Sequence, residues 1–187
     1  MGDPRLAINE VEQRLDRVSA LLASEPMSDA YGESLSVREH MFLAAQLAVQ
    51  RGATPAMVAA CLLHDIGWGM TDADGPHEAS GAAWLAPIFG PAVSEPVRLH
   101  VEAKRYLVAR EPGYFDTLST ASKETLTRQG GSHSDEEAAR FERSTWFESA
   151  IALRRIDEAA KLAGAATGVF DQFRPILRQV ALAHLLR

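Results

Sequence analysis

Apolar residues in this chain recur at intervals of three and four from one end to the other, and almost nowhere do they alternate with polar ones. That periodicity confines the chain to helices, because a half-buried strand needs a period of two. Leu6, Val11, Leu15, Val18 and Leu22 form one stripe and predict a helix over about 3–24. Pro26, Gly32 and several small polar residues break the pattern over 24–36, which reads as a loop. Ser36 with Glu39 three residues on has the form of a capping box and opens a helix to about Arg51. Gly52 closes it, and Thr54-Pro55 starts the next, which carries Met57, Val58, Leu62 and Leu63 into His64-Asp65. Gly67, Gly69, Asp72, Asp74, Gly75 and Pro76 make the following stretch a loop. Further helices are predicted over 77–86, 91–108, 120–128, 134–163 and 171–185. There is no internal repeat, low-complexity tract or linker, so the expectation is an all-α, single-domain helical bundle over 1–187.

A chain of 187 residues, 47% hydrophobic and 24% charged, can bury one substantial core. Its net charge of −6 argues against nucleic acid or an anionic membrane as partner, yet leaves room for a local basic pocket. The single cysteine, Cys61, has no internal disulfide partner and lies in the apolar run Ala59–Leu63, where a buried structural thiol is expected. The first thirty residues show no signal-peptide core, no stretch approaches a membrane span, and the cytoplasm is the expected compartment.

Chemistry enters with the histidines. Of the six, four fall in a telling order with two aspartates: His40, His64-Asp65, His77, His100 and Asp157. Neighbouring helical residues point about 100° apart. His64 and Asp65 can therefore serve one site only if it is wide enough to be reached from both directions. A pair of metals bridged by the aspartate fits, since each carboxylate oxygen can bind one metal. The apolar approach to His64 also makes an unpaired carboxylate costly there, and a metal removes that cost. Alone, His-Asp reads more simply as a chain turn beside a core histidine; the other four residues reverse that judgement. His133, in a Gly- and Ser-rich loop expected to be mobile, and His184, in the last turn of the last helix, are left outside the site.

This order of residues resembles the HD-domain pattern. Most HD proteins are metal-dependent phosphohydrolases, but the chain is most similar to a smaller branch, which includes myo-inositol oxygenase and uses O2 at a mixed-valent diiron centre. Within that branch it resembles the enzymes of organophosphonate breakdown that cleave the carbon–phosphorus bond of 1-hydroxyphosphonates. The resemblance runs from about Tyr31 to about Lys161 and implies His40, His64, Asp65, His77, His100 and Asp157 as ligands of two iron ions, Fe(II)/Fe(III), with Asp65 as the bridge. Lys104, four residues after His100, resembles a phosphonate-binding lysine. Leu118–Leu126, with Gln129-Gly130-Gly131, resembles a hydroxyl-rich phosphonate loop that includes Ser122 and Thr125. Arg154 resembles an arginine that holds the phosphonate. Tyr31-Gly32-Glu33 resembles a lid motif, with its tyrosine one residue closer to the glutamate than in the type enzyme.

The accessory residues also make physical sense unaided. Lys104 lies one turn beyond His100 on the same helix face, and Arg154 stands at i,i+3 from Asp157. A guanidinium fork suits phosphonate oxygens. Ser122 and Thr125, also i,i+3, open a short helix whose free amides favour an anion. Where the type enzyme has a histidine after His-Asp-x-Gly, this chain has Trp68. An indole face there favours a quaternary ammonium, by ~2 kcal/mol when desolvated. The substrate expected is therefore (R)-1-hydroxy-2-(trimethylammonio)ethylphosphonate, converted with O2 to glycine betaine and phosphate. Lys104, Tyr31 and Glu33 would act closest to the chemistry, and a hydroxylase would act upstream. Three alternatives stay open: the same reaction on 2-amino-1-hydroxyethylphosphonate, an HD phosphohydrolase with a metal-activated water, and a degenerate HD module that only binds a ligand.

Overall fold

A computed structural model describes residues 4–30, 34–70, 76–161 and 169–186, with side chains from residue 7 onward. Among these residues there are ten α-helices and no strand. In chain order they are α1 (Pro4–Leu22), α2 (Val37–Gln50), α3 (Pro55–Leu63), α4 (His77–Phe89), α5 (Pro91–Arg110), α6 (Tyr114–Thr117), α7 (Thr120–Arg128), α8 (Asp135–Glu142), α9 (Phe147–Ala160) and α10 (Phe170–Leu185). None is long and apolar enough to cross a membrane.

The arrangement follows from which helices have more than one apolar face. From Val58 to Leu63 every side chain of α3 is buried, so this helix must be surrounded. Helices α2, α5, α9 and α10 pack around it. Helix α5 is the second hub, lying against α4 and α9 as well. Helix α1 has a single stripe, Val11, Leu15, Val18 and Leu22, and lays it on α10. Leu6, expected in that stripe, has a side chain outside those described. Two smaller clusters flank the main core. Leu99, Ala103, Phe141 and Ala150 join α5, α8 and α9. Leu107, Tyr114, Leu118 and Leu126 hold α6 and α7 to the end of α5.

The capping box at Ser36 is present in full: the Ser36 hydroxyl accepts the Glu39 amide and the Glu39 carboxylate accepts the Ser36 amide. The Thr54 hydroxyl caps α3 by accepting the Met57 amide, and Pro55 opens the helix. Several expectations need correction. The helix predicted over 134–163 is two helices, α8 and α9, broken over 143–146. Ser144 makes the break: its hydroxyl accepts the Trp146 amide at 3.2 Å and its carbonyl accepts the Phe147 amide at 3.1 Å, a local bonding pattern that competes with the helix ladder. The loop over 24–36 contains a 3-10 turn, Glu25–Ser28, which buries Met27. The loop after Asp65 likewise begins with a 3-10 turn, Ile66–Gly69; positions 71–75, including Asp72, Asp74 and Gly75, lie outside the described residues. His133 is not a free loop residue: it is buried, and its Nε2 pairs with the Glu102 carboxylate at 2.7 Å. His184 packs against Gly90, so close that a Cβ there would stand 2.5 Å from its Nδ1.

Candidate dinuclear metal centre

Five of the ten helices each deliver one side chain to a single point in the bundle. His40 comes from the first turn of α2, His64 from the residue that ends α3, His77 from the start of α4, His100 from the middle of α5 and Asp157 from α9. Asp65 sits between α3 and the 3-10 turn. All four histidines and Asp157 are buried, and the Asp65 carboxylate opens on the cavity with 17% of its side chain exposed.

The distances divide these residues into two groups that share Asp65. Its Oδ2 lies 3.3 Å from His64 Nε2, while its Oδ1 lies 3.1 Å from His77 Nε2 and 3.6 Å from His100 Nε2. On the first side, Asp157 Oδ1 is 2.9 Å from His40 Nε2 and 3.7 Å from His64 Nε2. On the second, His77 Nε2 and His100 Nε2 are 3.3 Å apart. His40, His64 and Asp65 have ligand atoms all within 4.8 Å of one another, and so do Asp65, His77 and His100. Either set could hold a metal ion.

The far sides of the rings show why Nε2 faces inward. His64 Nδ1 bonds the Cys61 carbonyl at 2.9 Å and His100 Nδ1 bonds the Val97 carbonyl at 2.7 Å, so these nitrogens carry the protons. The His77 Nδ1 faces Glu78 at 3.4 Å. Such outer contacts fix the tautomer of a metal-binding histidine. His64 Nε2 is then a buried nitrogen with no hydrogen-bond partner, which a metal would satisfy. Histidine nitrogens and carboxylate oxygens in these proportions suit iron, manganese, nickel or zinc.

Charge at the centre is concentrated. Burial pushes the Asp65 carboxyl up, but the His64 and His77 rings beside it prevail and hold it well below the usual carboxylate range. For Asp157, burial is likewise overcome, chiefly by Arg154 and Lys161. Burial disfavours a proton on His64, yet Asp65 and Asp157 together raise it to about 9. His100 goes the other way, to about 3, under burial and the neighbouring His77.

Beside the centre is a cavity of about 100 Å3. It is lined by His40, Asp65, His77, His100 and Asp157 and also by Lys104, Ser122, Thr125, Gln129, Arg154 and Lys161. Every described residue expected at the site is therefore brought to it. Tyr31 and Glu33 lie outside the described residues, although Ala30 and Ser34 on either side of them line the cavity. Trp68 lines it too, with one face of its indole stacked on the His77 ring, centroids 4.4 Å apart and planes 17° from parallel. Gly67 is what lets this corner close: a Cβ there would stand 2.0 Å from the His77 carbonyl oxygen.

Three residues were not anticipated at the site. Tyr114 accepts a hydrogen bond from Arg154 Nε at 3.0 Å. Glu158 binds Arg154 Nη2 and accepts the Ser119 amide at 3.1 Å. Lys161 donates to Ser122 Oγ at 2.7 Å. Arg154, whose Nη1 also bonds Asp157 Oδ2, thus spends three of the five donors a guanidinium carries on protein acceptors. Helical spacing was the missed signal, because 154 and 157 or 158 fall on one face of α9 and 161, the residue that caps it, continues that face. Lys104 donates to Thr125 Oγ1 at 3.0 Å, and burial, then Arg154 and Lys161, bring its ammonium down to about 7.

No family model matches the chain. Curated proteins do. The chain is 42% identical over 161 residues to a hydroxymethylphosphonate dioxygenase of Gimesia maris, covering 80% of each protein. It is 38% identical over 163 residues to the glycine-betaine-forming [1-hydroxy-2-(trimethylamino)ethyl]phosphonate dioxygenase of Leisingera caerulea, covering 82% of this chain and 83% of that protein. It is also 31% identical to an uncharacterized protein of Acanthamoeba polyphaga mimivirus, over 90% of this chain.

Proposed function

The chain belongs to the family of phosphonate dioxygenases, and from that membership we propose that it is an oxygenase that cleaves the carbon–phosphorus bond of a 1-hydroxyphosphonate. The observation that carries this reading is the Asp65 carboxylate, which faces histidines on both sides at a cavity that Lys104, Arg154 and Lys161 also line. The whole chain is read as one domain, with the metal-binding core over about 31–161.

His40, His64, Asp65 and Asp157 would hold one iron, and Asp65, His77 and His100 the other. Bound there, an Fe(II)/Fe(III) pair supplies the one-electron chemistry that O2 needs to react with a C–H bond. The remaining work belongs to the protein. Lys104 and Arg154 meet the phosphonate charge and fix the C1 carbon against the metal wall, where proximity lowers the barrier. Burial of His77, His100, Lys104, Ser122, Arg154 and Asp157 limits the access of water, which disfavours hydrolysis at phosphorus. The atoms balance with one O2 per bond broken: C1 leaves as a carboxylate, phosphorus as inorganic phosphate, and one proton is released. Tyr31 and Glu33 are proposed as a lid, supported by Ala30 and Ser34 at the cavity edge. With Lys104 they would act closest to the reacting atoms.

For the substituent on C1, Trp68 in the cavity and the Leisingera relative support a trimethylammoniomethyl group, with glycine betaine as product. The Gimesia relative, named for hydroxymethylphosphonate, supports a second reading in which C1 carries no side chain. Iron-loaded protein supplied in turn with the trimethylated compound, 2-amino-1-hydroxyethylphosphonate and hydroxymethylphosphonate, with O2 uptake and phosphate followed together, separates them. The expected result is equal amounts of O2 consumed and phosphate released, fastest with the trimethylated compound. Phosphate released without oxygen would mark a hydrolase instead. Full iron loading with no turnover of any of the three would leave only a binding module.

A further inference from the structure

The four histidines of the centre differ in what stands behind them. His64 and His100 each turn Nδ1 to a backbone carbonyl, that of Cys61 at 2.9 Å and that of Val97 at 2.7 Å. His40 Nδ1 is buried and has no hydrogen-bond partner. Behind His77 stands a charged group: Glu78 Oε2 lies 3.4 Å from its Nδ1, and a shift of about 0.5 Å would give a hydrogen bond of ordinary length. Among the described residues His77 is the one partner of this carboxylate, whereas Glu102, Glu137 and Glu158 are each bound to an arginine. The Glu78 side chain is 21% exposed, so water solvates the oxygen that the ring does not face. Glu78 also lies in the first turn of α4, where a negative charge suits the helix dipole. A helix-end charge is therefore the plainer role, and a test has to separate the two.

We infer that Glu78 is a positioning residue for the metal position formed by Asp65, His77 and His100, and that it acts through His77. It holds the ring with Nε2 turned to the ion and, by drawing on the proton at Nδ1, makes Nε2 a stronger donor. The inference rests on the reading of the six side chains as ligands of two ions. A carboxylate polarises an imidazole N–H more than a neutral carbonyl does, because the contact is charge-assisted. A stronger donor binds a cation more tightly and favours its higher oxidation state. The two metal positions are thereby unequal: one contains the histidine backed by a carboxylate, and the other contains His40, whose Nδ1 has nothing behind it.

The test is metal binding, read without turnover. Metal-free protein is titrated with Zn2+ against a chromophoric chelator, and the native protein is expected to take up two ions. Glu78→Gln, which keeps an acceptor and removes the charge, should weaken one of the two steps about tenfold and leave the other unchanged. Glu78→Ala should weaken the same step further. Beside His100→Ala, which already disables that position, Glu78→Gln should change nothing more. In iron-loaded protein, a redox titration followed by paramagnetic resonance should show a higher midpoint potential in Glu78→Gln, since a nearby negative charge favours Fe(III). The unfolding midpoint of each metal-free variant is recorded alongside, and Glu78→Asp, which withdraws the charge by one methylene, runs the same titration should the others not fold. Unchanged zinc affinity and midpoint potential in both Glu78→Gln and Glu78→Ala overturn the inference and leave Glu78 as a helix-end charge. Equal weakening of both steps also overturns it, because the effect would then not run through His77. A native protein that binds no zinc defeats the two-metal reading itself, and the inference with it.

Discussion

A buried lysine has opposite effects on binding and on stability, and Lys104 shows both. It is 3% exposed, and its ammonium is held down at about 7 by burial and by the cations beside it. The unfolded chain keeps the proton to about 10.4, so the folded state is penalised for every proton the unfolded state holds more tightly. The penalty is full below pH 7, where both states are charged, and shrinks as pH rises toward 10. Lys104→Met is therefore expected to stabilise the protein by about 1–3 kcal/mol at pH 6, with less gain at pH 9, while raising KM for the phosphonate. Urea unfolding at the two pH values checks the sign. Asp65 is the other test at this scale. Loss of His100 should empty one metal position and loss of Asp157 should weaken the other, but Asp65→Ala should deplete both, as metal analysis of purified variants would report. These candidate ligands were legible in the sequence because a histidine or aspartate at the end of an apolar helix is costly to bury without a partner. Lys161 and Glu158 were not, because a lysine and a glutamate near a helix end have the same composition as a solvated surface. Only their partners Ser122 and Ser119, 39 residues earlier in the chain, show otherwise.

At the scale of elements, the helix that must not move is α4, since it begins on a histidine of the site. Its first residue lies over Gly67, and a methyl there meets backbone, which cannot swing aside. Gly69, two residues on, is crowded only by the ends of the Leu21 and Met27 side chains, at 2.9 and 3.3 Å. Gly67→Ala should thus displace His77, lower occupancy of the second metal position and cost about 3 kcal/mol or more, whereas Gly69→Ala should cost about 1 kcal/mol or less. Metal stoichiometry and unfolding midpoints of the two variants provide the comparison. Helix boundaries were readable where a cap or a proline marked them, as at Ser36 and Thr54. The break between α8 and α9 was not, because Ser144 interrupts the helix by bonding nearby backbone, and serines also occur within helices.

Over the whole molecule, the six site residues tie α2, α3, α4, α5 and α9 together, whereas α1 and α10 contribute none of them. Those two helices are joined by apolar contact and by the ion pairs of Arg174 and Arg178 with Glu12. A metal that binds only the native state stabilises it by mass action. Removing metal with a chelator is expected to lower the unfolding midpoint by several degrees. Amide exchange should then quicken first in α2, α4 and α9, with α1 and α10 changing little. The all-α architecture was evident from apolar spacing, but which helix lies at the centre was not. It depends on α3 being buried on every side from Val58 to Leu63, in a helix with no polar face.

Asp157 has a further consequence. One of its oxygens faces the histidines and the other is bound to Arg154. The same carboxylate is thus the fulcrum between two pockets, and a guest that tugs the guanidinium toward itself hands electron density back across the hinge. Whatever settles among the cations thereby retunes the donor strength felt on the far side, before any of its atoms has reached there.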